Sequence, residues 1–282
     1  TQVLRVLPKY AEFLGRFPTL EALAGATRAE VVRAWETLGY NRRAVHLHAL
    51  AQHVQRALGG VLPRTASELR RLPGIGPYTA AAVACFAFGE QVAAVDTNVR
   101  RVLGRIFLGQ GTGLPAEATA RVLAQQVLPP GEAYSWNQAL MDLGATLCTA
   151  RRPACDRCPV AGPCAARPHL AQASLAELPG LRRTRQERFE GSARFYRGRI
   201  IQVLRRLPPG RSISAEKLGQ RIRRDFAPDH RPWLDGLLRG LERDGLLVLE
   251  HSGQVAEPRA RYAAGSADEP GGCVSGYRVR LA

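Results

Sequence analysis

Along most of the first 170 residues, apolar side chains return every three or four positions, the spacing that gathers them on one face of a helix. VLRVLPKYAEFLGRF, TRAEVVRAWETLG, RRAVHLHALAQHVQRAL, YTAAAVACFAF, TNVRRVLGRIFL, AEATARVLAQQVL and SWNQALMDLGATLC all carry it. Thr27 and Ser135 stand where N-caps are expected, and Gly39, Gly59, Gly60, Gly89 and Gly131 fall at breaks. Strand-like alternation is scarce there. Past residue 190 the pattern changes. YRGRIIQVLRRL, a Ser214-capped AEKLGQRIRRDF and RPWLDGLLRGLERDG predict three helices, the last stopped by Gly245. LLVLE and YRVRLA then predict short strands, separated by a Gly/Ser/Pro-rich stretch. The expected organisation is an all-α domain over 1–166, a linker over 167–190, and a small winged-helix-like α+β domain over 191–282.

Composition narrows the class. The chain has 282 residues, 45% of them hydrophobic, enough for two domains with real cores. Its formal net charge is +16, shared equally between residues 1–170 and 171–282. A surplus spread this widely favours a long polyanion over one small acidic ligand. No stretch is long and apolar enough to span a membrane, and TQVLRVLPKY lacks the layout of a signal peptide. The chain opens at what reads as mid-helix without a methionine, so a preceding segment is expected.

Three constellations carry chemistry. The first is RRLPGIGPYTAAAV, residues 70–83, in which Gly74 and Gly76 allow a tight turn and close backbone approach. The turn opens a helix, whose free N–H groups and positive end suit a phosphate. ELRRL upstream supplies the partner of a helix–hairpin–helix; a plain inter-helix turn is the alternative. The second is VAAVDTNVRRV, where Asp96 follows an apolar run and precedes a helix. Asp96 reads as an N-cap, as a carboxylate beside a sugar that becomes cationic, or as both.

The third constellation is the run Cys148, Cys155, Cys158 and Cys164, four of the six cysteines within 17 residues. Thiols packed this closely point to a metal centre rather than a disulfide framework, and the spacing alone admits one zinc ion or an iron–sulfur cluster. Arg151 and Arg152 lie between the first two ligands, where a metal-fixed loop would present them to phosphate.

Hairpin, aspartate and cysteine run, in this order, resemble the helix–hairpin–helix DNA glycosylases that carry a 4Fe–4S cluster. Within that superfamily, TQV, FPTLEALA, AWETLGY, LPGIGPYTAAAV, VDTNVRRVLGR and NQALMDLGATLCT are similar to the adenine glycosylases that act opposite 8-oxoguanine. The resemblance implies base flipping and a double-stranded DNA partner containing mispairs. It casts Asp96 as the stabilising carboxylate, Asn98 as its orienting partner and Tyr78 as a pocket wall. Gln138 would touch the flipped adenine, and Tyr40 would wedge beside the opposite base. Core packing is the alternative for Tyr40 and Tyr78.

In the related endonuclease III branch a lysine stands where Tyr78 stands here, and it attacks the sugar. A tyrosine cannot form that Schiff base, and the chain's only lysines are Lys9 and Lys217. A monofunctional glycosylase is therefore expected. Two departures stand beside the resemblance. The family's acidic glutamate lies ahead of the TQV stretch, upstream of Thr1, with Glu12 no obvious substitute. This chain is accordingly expected to bind DNA but cut poorly, and the function to belong to the intact gene product. In addition, a winged-helix-like module stands where many members have a Nudix-like domain. Its Arg197, Arg199, Arg221, Arg223 and Arg224 read as phosphate contacts or as a solvated basic face. The rival readings are a thymine mismatch glycosylase of the same superfamily and a non-catalytic DNA-binding protein. A cytoplasmic, nucleoid-associated monomer is the expected setting.

Overall fold

The computed structural model describes residues 3–111, 113–172, 188–251 and 277–282. Its helices are α1 (Val3–Arg16), α2 (Leu20–Gly25), α3 (Arg28–Ala34), α4 (Arg42–Ala57), α5 (Ala66–Leu69), α6 (Pro77–Phe88), α7 (Thr97–Leu108), α8 (Glu117–Gln126), α9 (Ala133–Asp142), α10 (Arg167–Gln172), α11 (Ala193–Arg205), α12 (Ala215–Ile222) and α13 (Arg231–Arg243). The strands are β1 (Ile213–Ser214), β2 (Leu247–His251) and β3 (Tyr277–Leu281), in the antiparallel order β1-β3-β2. The central strand pairs Ile213 with Val279 on one side and Leu249 with Val279 on the other. Cys273, the Gly/Ser/Pro-rich stretch and most of the expected linker lie outside the described residues.

Local chemistry sets the helix ends. Thr27 closes a reciprocal capping box with Glu30, and Ser214 accepts from Lys217 N, as their sequence positions imply. Ser135 does not cap: α9 begins two residues earlier, leaving Ser135 inside the first turn. The expected single helix through Cys148 is also interrupted. After Asp142 the chain widens into a π-turn, Leu143–Leu147.

The chain folds as two compact units that cut across the linear division expected from sequence. One unit is Thr1–Gly60 with Glu187–Ala282; the other is Val61–Gln186. In the first, α2–α4 share one core with the C-terminal module: Val31, Val32, Ala44 and Ala51 belong to the same buried cluster as Ile200, Leu204, Leu234, Leu238 and Val279. Arg205 ties the two stretches together, donating from Nε to Val32 O (3.0 Å) and from Nη2 to Asn41 Oδ1 (2.9 Å). The module is therefore part of a domain rather than an appendage. The second unit packs α7 against α8 and α9 through Val99, Val102, Leu103, Ala124 and Leu140, with Cys85, Leu128 and Ala133 alongside.

The turn between α3 and α4 is strained. Thr37 (φ +73°) and Tyr40 (φ +45°) both occupy the left-handed region, and Gly39 (φ +70°) sits between them. For non-glycine residues this conformation costs about 1–3 kcal/mol each. The indole of Trp35 donates to Gly39 O (2.9 Å), which helps to hold the turn.

In the same unit His48 is buried at 3% exposure. Its Nε2 lies 2.9 Å from Ala26 O, while Nδ1 is buried with no partner. Burial, reinforced by the charge of Arg28, pushes its pKa below the ordinary value. A base with a lowered folded pKa is protonated first in the unfolded chain. The folded state therefore loses stability as pH falls below the unfolded value of about 6.5. Urea unfolding at pH 7.5 and 5.5 should show this loss, and His48→Gln should shrink it.

Candidate active site and cluster loop

The second unit holds most of the residues singled out by sequence. The hairpin runs from α5 to α6. Gly74 takes φ +78°, as a tight turn requires. Gly76, by contrast, has φ −86° and caps α6 with extended backbone. No atom lies within 4 Å of where a Gly76 Cβ would point, so its missing side chain opens space outward rather than relieving an internal clash. Pro77 at N1 starts α6 with no donor lost. The free N–H groups at this open end suit an anionic oxygen.

Tyr78, in the first turn of α6, is 39% exposed and its hydroxyl reaches Met141 Sδ at 3.5 Å on α9. Burial, and then the negative charge of Asp96, raise its pKa, so the phenol stays protonated. Gln138 lies one turn before Met141 on α9, half-buried, with no side-chain hydrogen bond among the described residues.

Asp96 is the N-cap of α7. Its Oδ1 accepts from Val99 N (2.7 Å) and its Oδ2 accepts from Asn98 Nδ2 (3.1 Å). The extended segment leading to it is pinned by Asn137, buried at 1% exposure. Asn137 Oδ1 accepts from Ala94 N (2.9 Å), and Nδ2 donates to Val92 O (2.9 Å) and Ala133 O (2.8 Å). A fully satisfied buried amide of this kind fixes the approach of a strand-like segment to a helix.

Behind Asn98 stands Arg101, which sequence reading left unassigned. Its Nη2 donates to Asn98 Oδ1 (2.9 Å) and to Gly144 O in the π-turn (2.7 Å), while Nε donates to Cys148 O (2.9 Å). Cys148 is the first cysteine of the clustered four. A continuous hydrogen-bonded path thus runs from the Asp96 carboxylate through Asn98 and Arg101 to the cysteine loop. The π-turn packs this tightly because residue 144 is glycine: a Cβ there would lie 2.8 Å from Asn98 Cβ.

The four cysteines line one partly open pocket, walled by Ile106, Leu143, Leu147, Val160 and Leu170. Arg105, one turn beyond Arg101, is buried at 2% exposure and reaches Cys148 Sγ (3.4 Å), Thr149 O (2.8 Å) and Ala150 O (3.0 Å). Burial and the mutual charges of the other three cysteines raise the Cys155 pKa, which reflects how closely the thiols gather. Among the described residues no three His, Cys, Asp or Glu side chains are grouped tightly enough for a single ion. Four soft donors around an apolar-walled cavity, with a guanidinium aimed at one sulfur, fit a multi-iron cluster. Arg151 and Arg152 are exposed on this loop, where Thr149 Oγ1 donates to Arg152 O (2.6 Å).

Tyr40 belongs to the other unit, on the strained α3–α4 turn, and is 78% exposed. Core packing is thus excluded for Tyr40. The C-terminal arginines divide. Arg197 pairs with Asp244, and Arg223 pairs with Asp225 while lying over Trp233; Arg199 lies over Phe195. Arg221 and Arg224 are exposed without a carboxylate partner among the described residues.

A hairpin, an aspartate capping the helix that follows it, and a four-cysteine loop define a helix–hairpin–helix DNA glycosylase with an iron–sulfur cluster. Comparison with known proteins agrees. Residues 1–129 match the HhH-GPD superfamily of base excision DNA repair proteins, and residues 148–164 match the iron–sulfur binding domain of endonuclease III. The chain is 39% identical over 262 residues to the adenine DNA glycosylase of Mycolicibacterium smegmatis, covering 92% of this chain and 86% of that protein. It is 42% identical over 188 residues to the adenine DNA glycosylase of Rattus norvegicus, covering 64% of this chain but 36% of the rat protein. A thermostable thymine-DNA glycosylase structure superposes with TM-score 0.56 at 32% identity, covering 60% of this chain and 79% of that one. Within the glycosylase class, this chain belongs to the adenine DNA glycosylase family. The cluster that its cysteine loop carries is of the 4Fe–4S type.

Gly144→Ala should test the packing of the π-turn. Overpacking against Asn98 is expected to cost about 1–3 kcal/mol and to lower the melting temperature. Gly198→Ala, with nothing within 4 Å of its Cβ position, should instead stabilise helix α11 by about 0.5–1 kcal/mol. Thermal unfolding of the two variants side by side checks both.

Proposed function

We propose that the protein removes adenine mispaired with 8-oxoguanine or guanine by hydrolysing its N-glycosidic bond, without cutting the strand. Family membership supports the base, and the Asp96 carboxylate held at the start of α7 by Asn98 and Val99 supports the bond-breaking chemistry. The duplex binds through its phosphates at the hairpin and at Arg151 and Arg152. The target adenine leaves the stack and enters the pocket beside Tyr78 and Gln138. As the bond to the sugar breaks, positive character grows on the ribose ring. The Asp96 carboxylate, oriented by Asn98, offsets that charge. At about 4 Å and an effective dielectric of about 20 the attraction is about 4 kcal/mol, or roughly a thousandfold in rate if felt only in the transition state. Tyr78 walls the pocket and offers no amine, so water completes the reaction and an abasic site remains. The cluster's part in this scheme is to fix the loop that presents Arg151 and Arg152. The working form is a monomer.

Two measurements decide it. Asp96→Asn should keep its affinity for a mispaired duplex and lose base release by roughly a thousandfold in single-turnover assays. Near-normal turnover removes Asp96 from the mechanism. Borohydride should trap no covalent adduct with DNA at a yield comparable to base release. Assays on A:8-oxoguanine, A:G and T:G duplexes separate adenine removal from thymine removal, the alternative that the likeness to a thymine-DNA glycosylase supports.

A further inference from the structure

Among the described residues the C-terminal module consists of α11–α13 and a three-stranded sheet, and the mechanism above gives it no task. We infer that it presets the turn carrying Tyr40 and so sets mispair discrimination from behind, with Arg205 as the positioning residue. The inference rests on the reading of Tyr40 as the residue that meets the duplex beside the opposite base.

The turn between α3 and α4 holds Tyr40 in the left-handed region (φ +45°) with its ring 78% exposed. An exposed aromatic side chain on strained backbone is doubly unfavourable in water and needs outside support. The ring itself is largely exposed; the support comes from contacts to the Val32 carbonyl of α3 and to the side chains of Asn41 and Arg42. Arg205 of α11 spans the turn. Its Nε donates to Val32 O (3.0 Å) on the α3 side, and its Nη2 donates to Asn41 Oδ1 (2.9 Å), the residue next to Tyr40. Asp244, at the C-cap of α13, pairs with Arg42 (3.4 Å), one residue further on. Two elements of the module therefore grip the chain immediately after Tyr40.

Asn41 supplies the second acceptor. Its backbone is already helical at the start of α4, it makes no capping bond, and its side-chain oxygen accepts from Arg205. Only a guanidinium reaches both acceptors at once, because its donors are held in a planar fork.

The test is a binding measurement, so it does not depend on turnover. Fluorescence anisotropy at fixed salt gives the affinity for a duplex with an uncleavable 2′-fluoro-deoxyadenosine opposite 8-oxoguanine and for the matched A:T duplex. The ratio of the two affinities is the discrimination. Arg205→Met and Tyr40→Ala should each lower it about tenfold, the scale of one lost base-level contact. The double variant should lose no more than either single one, because Arg205 acts through Tyr40. Arg205→Lys should not restore the ratio. Asn41→Ala, which removes the same tie from a half-buried position, should lower it in the same direction should Arg205→Met fail to fold. Tyr40→Ala with reduced discrimination beside an unchanged Arg205→Met or Asn41→Ala overturns this inference alone, as does an additive double variant. An unchanged ratio in Tyr40→Ala overturns the reading of Tyr40 itself, and the inference with it.

Discussion

The buried guanidinium of Arg101 is the constraint on which the second unit depends. It lies at 9% exposure and satisfies acceptors on three different stretches: the Asn98 side chain, the Gly144 carbonyl and the Cys148 carbonyl. A charge buried to this degree is tolerated only when its donors are used, and here each bond ties down something functional. Asn98 orients Asp96. Gly144 belongs to the π-turn that ends the α9 segment. Cys148 begins the cluster loop. The widening at Leu143–Leu147 makes one of these bonds available, because a π-turn frees a carbonyl that a regular helix would hold along its own axis. Burial lowers the Arg101 pKa, opposed by the negative charges of Cys148 and Asp96. The electrostatics of the cluster loop and of the carboxylate therefore meet in one side chain.

A similar logic operates in the first unit, with a different outcome. There the shared core of α2–α4 and the C-terminal module makes the two ends of the chain one folding unit. Removing residues 191–282 would expose Val31, Val32 and Ala44, all buried at 1% or less, and would leave Asn41 without its partner. The module's basic residues are correspondingly not a uniform solvated face. Arg197 and Arg205 are used inward, while Arg221 and Arg224 remain outward.

The sequence made much of this legible where local chemistry decides the outcome. The capping boxes, the glycine breaks, the three C-terminal helices and the cysteine run follow from residue types at fixed offsets. Asp96 reads in the sequence as an N-cap, and it caps α7. What stayed hidden depends on contacts distant in the chain. VDTNVRRV displays Arg101 and Asn98, but nothing in that string indicates that two further partners of Arg101 lie more than forty residues away. The role of Gly144 appears only when Asn98 is seen against it, and Ser135 misled because α9 starts earlier than its best cap. The division into domains failed to follow the linear pattern because residues 1–60 bury their apolar face against a module supplied by the far end. Periodicity reports that a helix has such a face; it does not report what covers it.

Asp96 shows why these distant contacts matter for chemistry. Both its oxygens are engaged, yet by a backbone N–H and a neutral amide, and it makes no ion pair among the described residues. A guanidinium in direct contact would hold the carboxylate equally still, but it would also offset its negative charge. Placing Asn98 between Arg101 and Asp96 separates the two requirements. The arginine fixes the amide, and the amide, with Val99 N at the start of the helix, fixes the carboxylate. Orientation without neutralisation is the property this arrangement provides, and a carboxylate on an exposed loop would have neither the fixed direction nor the sheltered field.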